Sequence, residues 1–199
     1  MRGSANISVF VVAIVVAFAG CSTHAQRVRE ARHAYFANDL DSAITLLDKA
    51  GAYRLRERDC LSLDRAMVAL AQGNPATSES LLREVRDRFD YLEQKDVAES
   101  GVSLLTDDTA AAYAGENYEK VMIRAMLAVS NLMHDGSDAV AYCLQVDQKQ
   151  REIIERAAAE ESKGKATPNA NVAIGAYVRG VVQEESHSHY DDAERAFAT

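Results

Sequence analysis

The stretch ANDLDSAITLLDKA, residues 37–50, decides the fold. Its apolar residues Leu40, Ala43, Ile44 and Leu47 fall at i, i+3, i+4 and i+7, which is one face of a helix. The opening ANDLDSA (37–43) sits between two helical patterns. Working outward, the same spacing recurs along the chain. Leu63, Ala66, Met67, Leu70 and Ala71 make one such face, and Leu81, Leu82, Val85 and Phe89 another. Tyr118, Val121, Met122, Ala125, Val129 and Leu132 follow, then Ala173, Ala176, Tyr177, Gly180 and Val181. No strand-like alternation competes with this pattern. Alanine, leucine, glutamate and arginine dominate long stretches, and all favour helix. The expected fold class is all-α.

The turns repeat as well. QGNPATS (72–78) stands in the context that ANDLDSA occupies at 37–43; HDGSDAVA (134–141) and HSHYDDA (187–193) follow. A period of about 34 residues is the mark of helix-turn-helix solenoids. The chain here resembles tetratricopeptide repeats. In the first repeat the family's small and large positions fall on Ala31, Ala43, Leu47 and Ala50, with Asn38-Asp39-Leu40 as the turn. In the second they fall on Ala66, Ser78, Leu82 and Val85, with Gly73-Asn74-Pro75 as the turn. The last offers Tyr190, Ala193 and Phe197. The resemblance implies antiparallel helix pairs stacked as a right-handed solenoid, with small residues where helices approach closely. Ser78 and Val85 depart from the family's alanines. The segment 93–116 breaks the period and is expected to be irregular. The pair from Asn117 to about Glu160 is longer than a standard repeat, and EESKGKATPNAN (160–171) reads as a linker. Thr199 arrives about two turns into the last helix, so the chain has the look of a shortened relative of longer proteins.

The N-terminus supplies an address. An apolar run, Ile7 to Ala19, follows Arg2 and closes on Ala19-Gly20-Cys21. It is shorter than the ~20 residues a spanning helix needs, and it has the layout of a secretory signal peptide. FAGC (18–21) resembles the lipobox of bacterial lipoproteins, with Phe18 where leucine is usual. That resemblance implies cleavage before Cys21 and a diacylglyceryl group on its thiol. The expected organisation is a signal peptide, 1–20, then a single repeat domain, 21–199. The expected association is with the membrane through the Cys21 anchor, not by spanning it. Ser22 is not the aspartate that retains many such proteins at the inner membrane, so the family rule points to the outer membrane of the cell envelope. The whole layout resembles an uncharacterised group of bacterial tetratricopeptide-like lipoproteins, a resemblance that brings no activity with it.

Composition bounds the rest. The 199 residues are 48% hydrophobic and 26% charged, a globular balance, and carry a formal net charge of −8. An acidic surface repels nucleic acid, and no nucleic-acid partner is expected. Besides Cys21 there are Cys60 and Cys143; they read as small buried apolar residues, with a disulfide the alternative in an oxidising compartment.

Candidate chemistry is sparse. His187, His189 and Asp191, with Asp192, are close in sequence and are of metal-ligating type; the alternative is a solvated turn whose aspartates start the next helix. In YAGENYEK (113–120), Tyr113 and Tyr118 could flank a ligand groove with Glu116, Glu119 and Arg124 near; otherwise Asn117 caps a helix and Tyr118 is a core residue. Asp107-Asp108 and Glu160-Glu161 are adjacent acids and read as helix ends or surface, not as an opposed catalytic pair. His24, His33 and His134 are isolated. There is no nucleophile elbow, P-loop, H-E-x-x-H or dinucleotide fingerprint, so no catalytic residue and no cofactor is assigned. The expected function is a lipid-anchored envelope interaction protein that binds a protein or peptide partner through its helical-repeat surface; Arg65, Arg83, Arg86 and Arg124 are candidate polar contacts, the equal alternative being that they are solvated or held in i,i+4 pairs such as Glu79–Arg83. The alternative is a small envelope metal-dependent enzyme or ligand binder built on His187, His189 and Asp191.

Overall fold

The turn at 37–39 is built by the residues that named it. Asn38 takes a left-handed conformation (φ 61°), which asparagine tolerates better than most residues. That bend lets the Asp39 N–H reach back to the Ala34 carbonyl at 2.9 Å. The Asp39 carboxylate then accepts the Ser42 N–H at 3.1 Å, satisfying an orphan donor at the start of the next helix. The turn at 72–74 repeats the construction. Gly73 takes the left-handed position (φ 77°), and the Asn74 N–H reaches the Ala69 carbonyl at 2.9 Å. Pro75 follows as the first helical residue, where its missing N–H costs nothing. Gly136 and His187 hold positive φ at the two later turns.

The computed structural model describes residues 24–51, 58–99, 113–161, 173–185, 187 and 189–198. Among these there are eight helices and no strand: α1 (His24–Phe36), α2 (Leu40–Gly51), α3 (Arg58–Ala71), α4 (Pro75–Glu99), α5 (Asn117–His134), α6 (Ala139–Glu161), α7 (Ala173–Glu185) and α8 (Tyr190–Phe197). The protein is all-α. Residues 1–20, Cys21, Asp107-Asp108 and most of 160–171 lie outside the described residues. No helix among the described residues is long and apolar enough to cross a membrane.

The chain falls into two compact units, Met1–Arg54 and Leu55–Thr199. In the first, α1 packs on α2 around Ala31, Ala43, Leu47 and Ala50, all buried. In the second, each helix from α3 to α8 packs on its chain neighbour, and α7 also reaches α5. The core gathers Leu82, Val85 and Phe89 of α4, Ile123 and Leu127 of α5, Tyr142 and Cys143 of α6 and Val178 and Val182 of α7. Val121, Ala125, Val146 and Ile153 form a smaller cluster between α5 and α6. Ser78, at a small-residue position, is fully buried and hydrogen-bonds Ser130 at 3.0 Å, tying α4 to α5.

Two expected faces hold only in part: Val121 and Ala125 of α5 and Gly180 of α7 are buried, while other members of each face are exposed. On α5, Tyr118, Met122 and Leu132 are exposed, while Ile123, Leu127, Ala128 and even Arg124 and Asn131 are buried. The reason is that α5 lies against α4, α6 and α7 together, so a single apolar stripe does not describe it. On α7 the buried residues are Gly175, Val178, Gly180 and Val182, and Tyr177 is exposed. Helix α4 runs on to Glu99, so the start of the stretch 93–116 is helical, whereas 113–116 is not. The cap of α5 is Glu116, not Asn117: the Glu119 carboxylate accepts the Glu116 N–H at 2.9 Å, half of a capping box.

Candidate functional site

Helix α4 presents Arg86, Asp87, Asp90 and Glu93 along one side, and α6 presents Gln145, Lys149, Glu152 and Arg156 at steps of three and four. Helix α5 lies between them and contributes Lys120 and Arg124, four residues apart. The spacing puts each set on one helix face. All of these except Lys120 line an open groove of about 620 Å³.

Glu93 is the hub. Its carboxylate takes Lys149 at 3.0 Å, Lys120 at 3.5 Å and Arg156. Burial by itself would raise its pKa. The hydrogen bonds from Arg156 and Lys149, with the charges of Lys120 and Lys149, outweigh that and hold it at about 2. Asp90 accepts two hydrogen bonds at 2.7 Å from one Arg124 nitrogen, and Arg124 also donates to the Lys120 carbonyl at 2.8 Å. Lys149 meets Glu152 at 3.0 Å. At the far end Arg86 pairs with Asp87 at 2.7 Å and donates to Gln145 at 3.1 Å.

A second polar network adjoins the first. Glu79 of α4 is buried. It accepts the Tyr142 hydroxyl at 2.9 Å, the Asn131 amide at 3.3 Å and the Arg83 guanidinium, and His134 stands 3.5 Å away. Burial opposes ionisation of Glu79, and these hydrogen bonds together prevail, so its pKa lies below the ordinary value. Tyr142 joins the networks. Its hydroxyl accepts from Arg83 at 2.7 Å, and the Arg86 guanidinium lies 5.9 Å from its ring centre.

The expected contacts divide accordingly. Arg86 and Arg124 line the groove. Arg83 makes its i,i+4 pair with Glu79. Arg65 lies on α3, away from the groove lining. Asp90, Glu93, Lys149 and Arg156 were not singled out from sequence; the signal was their i, i+3, i+4 charge spacing on two long helices.

YAGENYEK does not form a two-tyrosine platform. Tyr113 stands edge-on to Phe89, ring centres 5.9 Å apart, and its hydroxyl donates to Glu119. Burial, then the Glu119 carboxylate, raises its pKa. Tyr118 is exposed. Gly115 is held at φ 77°, against the Phe89 ring.

His187, His189 and Asp191 are not brought into one ligand set. His187 faces the Tyr190 hydroxyl at 3.4 Å, and His189 faces Asp192 at 3.5 Å. Among the described residues no group of three or more His, Cys, Asp or Glu is arranged to hold a metal ion. Asp191 and Asp192 stand in the first turn of α8, where their charge suits the helix dipole.

Cys60 and Cys143 are not disulfide-bonded. Burial, then the Asp147 charge, pushes the Cys143 thiol up to about 11. The thiolate is the reactive form, so native protein at neutral pH is expected to alkylate at Cys143 at least about tenfold more slowly than unfolded chain. Timed iodoacetamide labelling with peptide mapping checks this.

No protein-family model, curated protein or solved structure matches this chain. The functional reading therefore rests on the all-helical fold and its charged groove.

Proposed function

We propose that this chain is a lipid-anchored interaction protein of the bacterial cell envelope, binding a protein partner through its helical surface. The reading makes Cys21 the acylated first residue of the mature chain and places the anchor in the outer membrane. It takes the helices as stacked antiparallel pairs in a right-handed, tetratricopeptide-like solenoid. Sequential neighbour packing from α3 to α8 and the shared turn chemistry at 38–39 and 73–74 support that arrangement. It also takes the chain as a binder and not as an enzyme.

The observation that carries the binding reading is the groove between α4 and α6. Its side chains are fixed in place by ion pairs on α5, α4 and α6. Preorganised polar groups lose little freedom on binding, which favours recognition over nonspecific adhesion. An acyl anchor would hold the groove at the membrane and raise its effective concentration there.

The test is cross-linking from native membranes, with mass spectrometry of both the mature N-terminus and the captured peptides. Expected are an acylated Cys21 and one dominant partner cross-linked beside Gln94 or Gln148. An unmodified Cys21 in a membrane-free fraction overturns the anchor. Absence of any partner cross-link from folded, anchored protein overturns the interaction reading.

A further inference from the structure

The groove's charge is sorted by depth. Three of the cations lining it are nearly out of solvent: the side chains of Arg124, Lys149 and Arg86 are 6%, 10% and 15% exposed; Lys120, which pairs with Glu93 but does not line the groove, is 8% exposed. Only one carboxylate lies at that depth, Glu93 at 12%. The acids that complete the count stand at the rim: Asp90 at 30%, Glu152 at 38% and Asp87 at 63%. Burying cations costs several kcal/mol each unless anions lie close by. A purely structural lattice would bury matching carboxylates with them. Here two of the balancing acids, Glu152 and Asp87, are on the solvent side, where a rotamer change frees their places at little cost.

Net charge points the other way, which makes the local arrangement informative. At −8 overall, the molecule's long-range field disfavours acidic partners. The buried cation excess is therefore a short-range feature of this groove and not a consequence of composition.

Resting on the interaction reading above, we infer that the α4–α6 groove takes an acidic segment of the partner protein, whose carboxylates replace the rim acids Glu152 and Asp87 over the buried cations. The dimensions suit an extended peptide. From Gln145 to Arg156 the wall runs roughly 16 Å at a 1.5 Å rise per residue, the reach of about five extended residues. Lys149 and Arg86 mark two anion positions along it, each now held by a rim acid, at 3.0 Å and 2.7 Å. Arg156, half-exposed beside Glu93, offers its guanidinium to a third. Gln94, Gln145 and Gln148 line the same groove, and their amides can both donate to and accept from a peptide backbone.

The test uses the full chain and an acetylated, amidated peptide of alternating glutamate and serine, about six residues long, labelled for fluorescence anisotropy. Glutamine-serine and lysine-serine peptides of the same length are controls. Expected is binding of the glutamate peptide alone. Arg156→Gln should weaken it about tenfold, and Glu152→Gln should tighten it about threefold by removing a competing acid. Both positions face solvent on α6, so the fold should survive either change, and circular dichroism confirms that. No binding, equal binding of the control peptides, displacement by inorganic phosphate as effective as by the peptide, or a Glu152→Gln variant no tighter than the parent overturns the inference. Its failure is distinguishable from that of the interaction reading: partner cross-links beside Gln94 or Gln148 that persist in Arg156→Gln leave that reading standing and remove only the acidic segment.

Discussion

Gly115→Ala is expected to lower the unfolding free energy by about 3 kcal/mol. Two costs add. The backbone at 115 sits at φ 77°, a left-handed conformation that costs an L-residue roughly 1–2 kcal/mol. A Cβ built there would lie 2.4 Å and 2.5 Å from two ring carbons of Phe89, well inside contact distance. Phe89 is fully buried and packed edge-on by Tyr113, so it has no room to step aside, and overpacking of this kind costs about 1–3 kcal/mol. Gly73 is the control. It holds the same φ, 77°, with nothing within 4 Å of an added Cβ, so Gly73→Ala should carry only the backbone cost of about 1 kcal/mol. Guanidinium unfolding of both variants isolates the clash as their difference. Phe89→Leu in the Gly115→Ala background should be less harmful than the two single changes summed. If Gly115→Ala costs no more than Gly73→Ala, the close approach plays no part in stability.

That pair of glycines also shows what could be read in advance. Gly73, within QGNPATS, was legible as a turn because its context is local: glycine, asparagine and proline each have a defined role within four residues. Ala43, Leu47, Leu82 and Val85 were legible for the same reason, since one helix face follows from spacing alone. Gly115 lies within the YAGENYEK stretch, but its partner Phe89 lies far off in sequence on α4, and no local pattern names it. The same limit applies to α5. A period of 3.6 finds a single apolar stripe, and Tyr118 and Leu132 fit that stripe, but a helix packed against three others buries residues such as Arg124 and Asn131 that no hydrophobic pattern includes. The groove was half-visible. Arg86 and Arg124 were candidates as arginines, while Glu93 and Lys149 were not singled out. What distinguishes them is depth, which depends on the neighbouring helix and not on the residue's own surroundings in sequence. The histidines near the C-terminus show the opposite limit: close in sequence, they face different partners in space.

Glu93→Gln should be the most damaging of the groove substitutions, lowering stability at neutral pH by about 3 kcal/mol. The side chain keeps its shape and loses its charge, leaving Lys120 and Lys149, both nearly buried, without the carboxylate they share. Removing one partner of a buried pair costs more than the pair contributes, because the remaining charge has no solvent to turn to. The effect has a pH signature. Glu93 titrates near 2 in the folded protein against an ordinary 4.5. A carboxylate depressed in this way adds stability that is fully present above the ordinary value and is lost as pH falls through the folded one. The loss therefore falls between about pH 4.5 and pH 2, and amounts to about 2 kcal/mol after allowance for solvent on the groove's open side. Other depressed acids, Glu79 among them, add to the acid sensitivity of the parent protein, so the parent's curve alone does not isolate Glu93. The difference between parent and Glu93→Gln does: it should be large and level from pH 7 down to about pH 4.5, then shrink toward pH 2. Urea unfolding of both at several pH values measures it. A difference that stays constant across that range would show that Glu93 acts by packing and not by charge, and the buried cations would then need another account of how they are held.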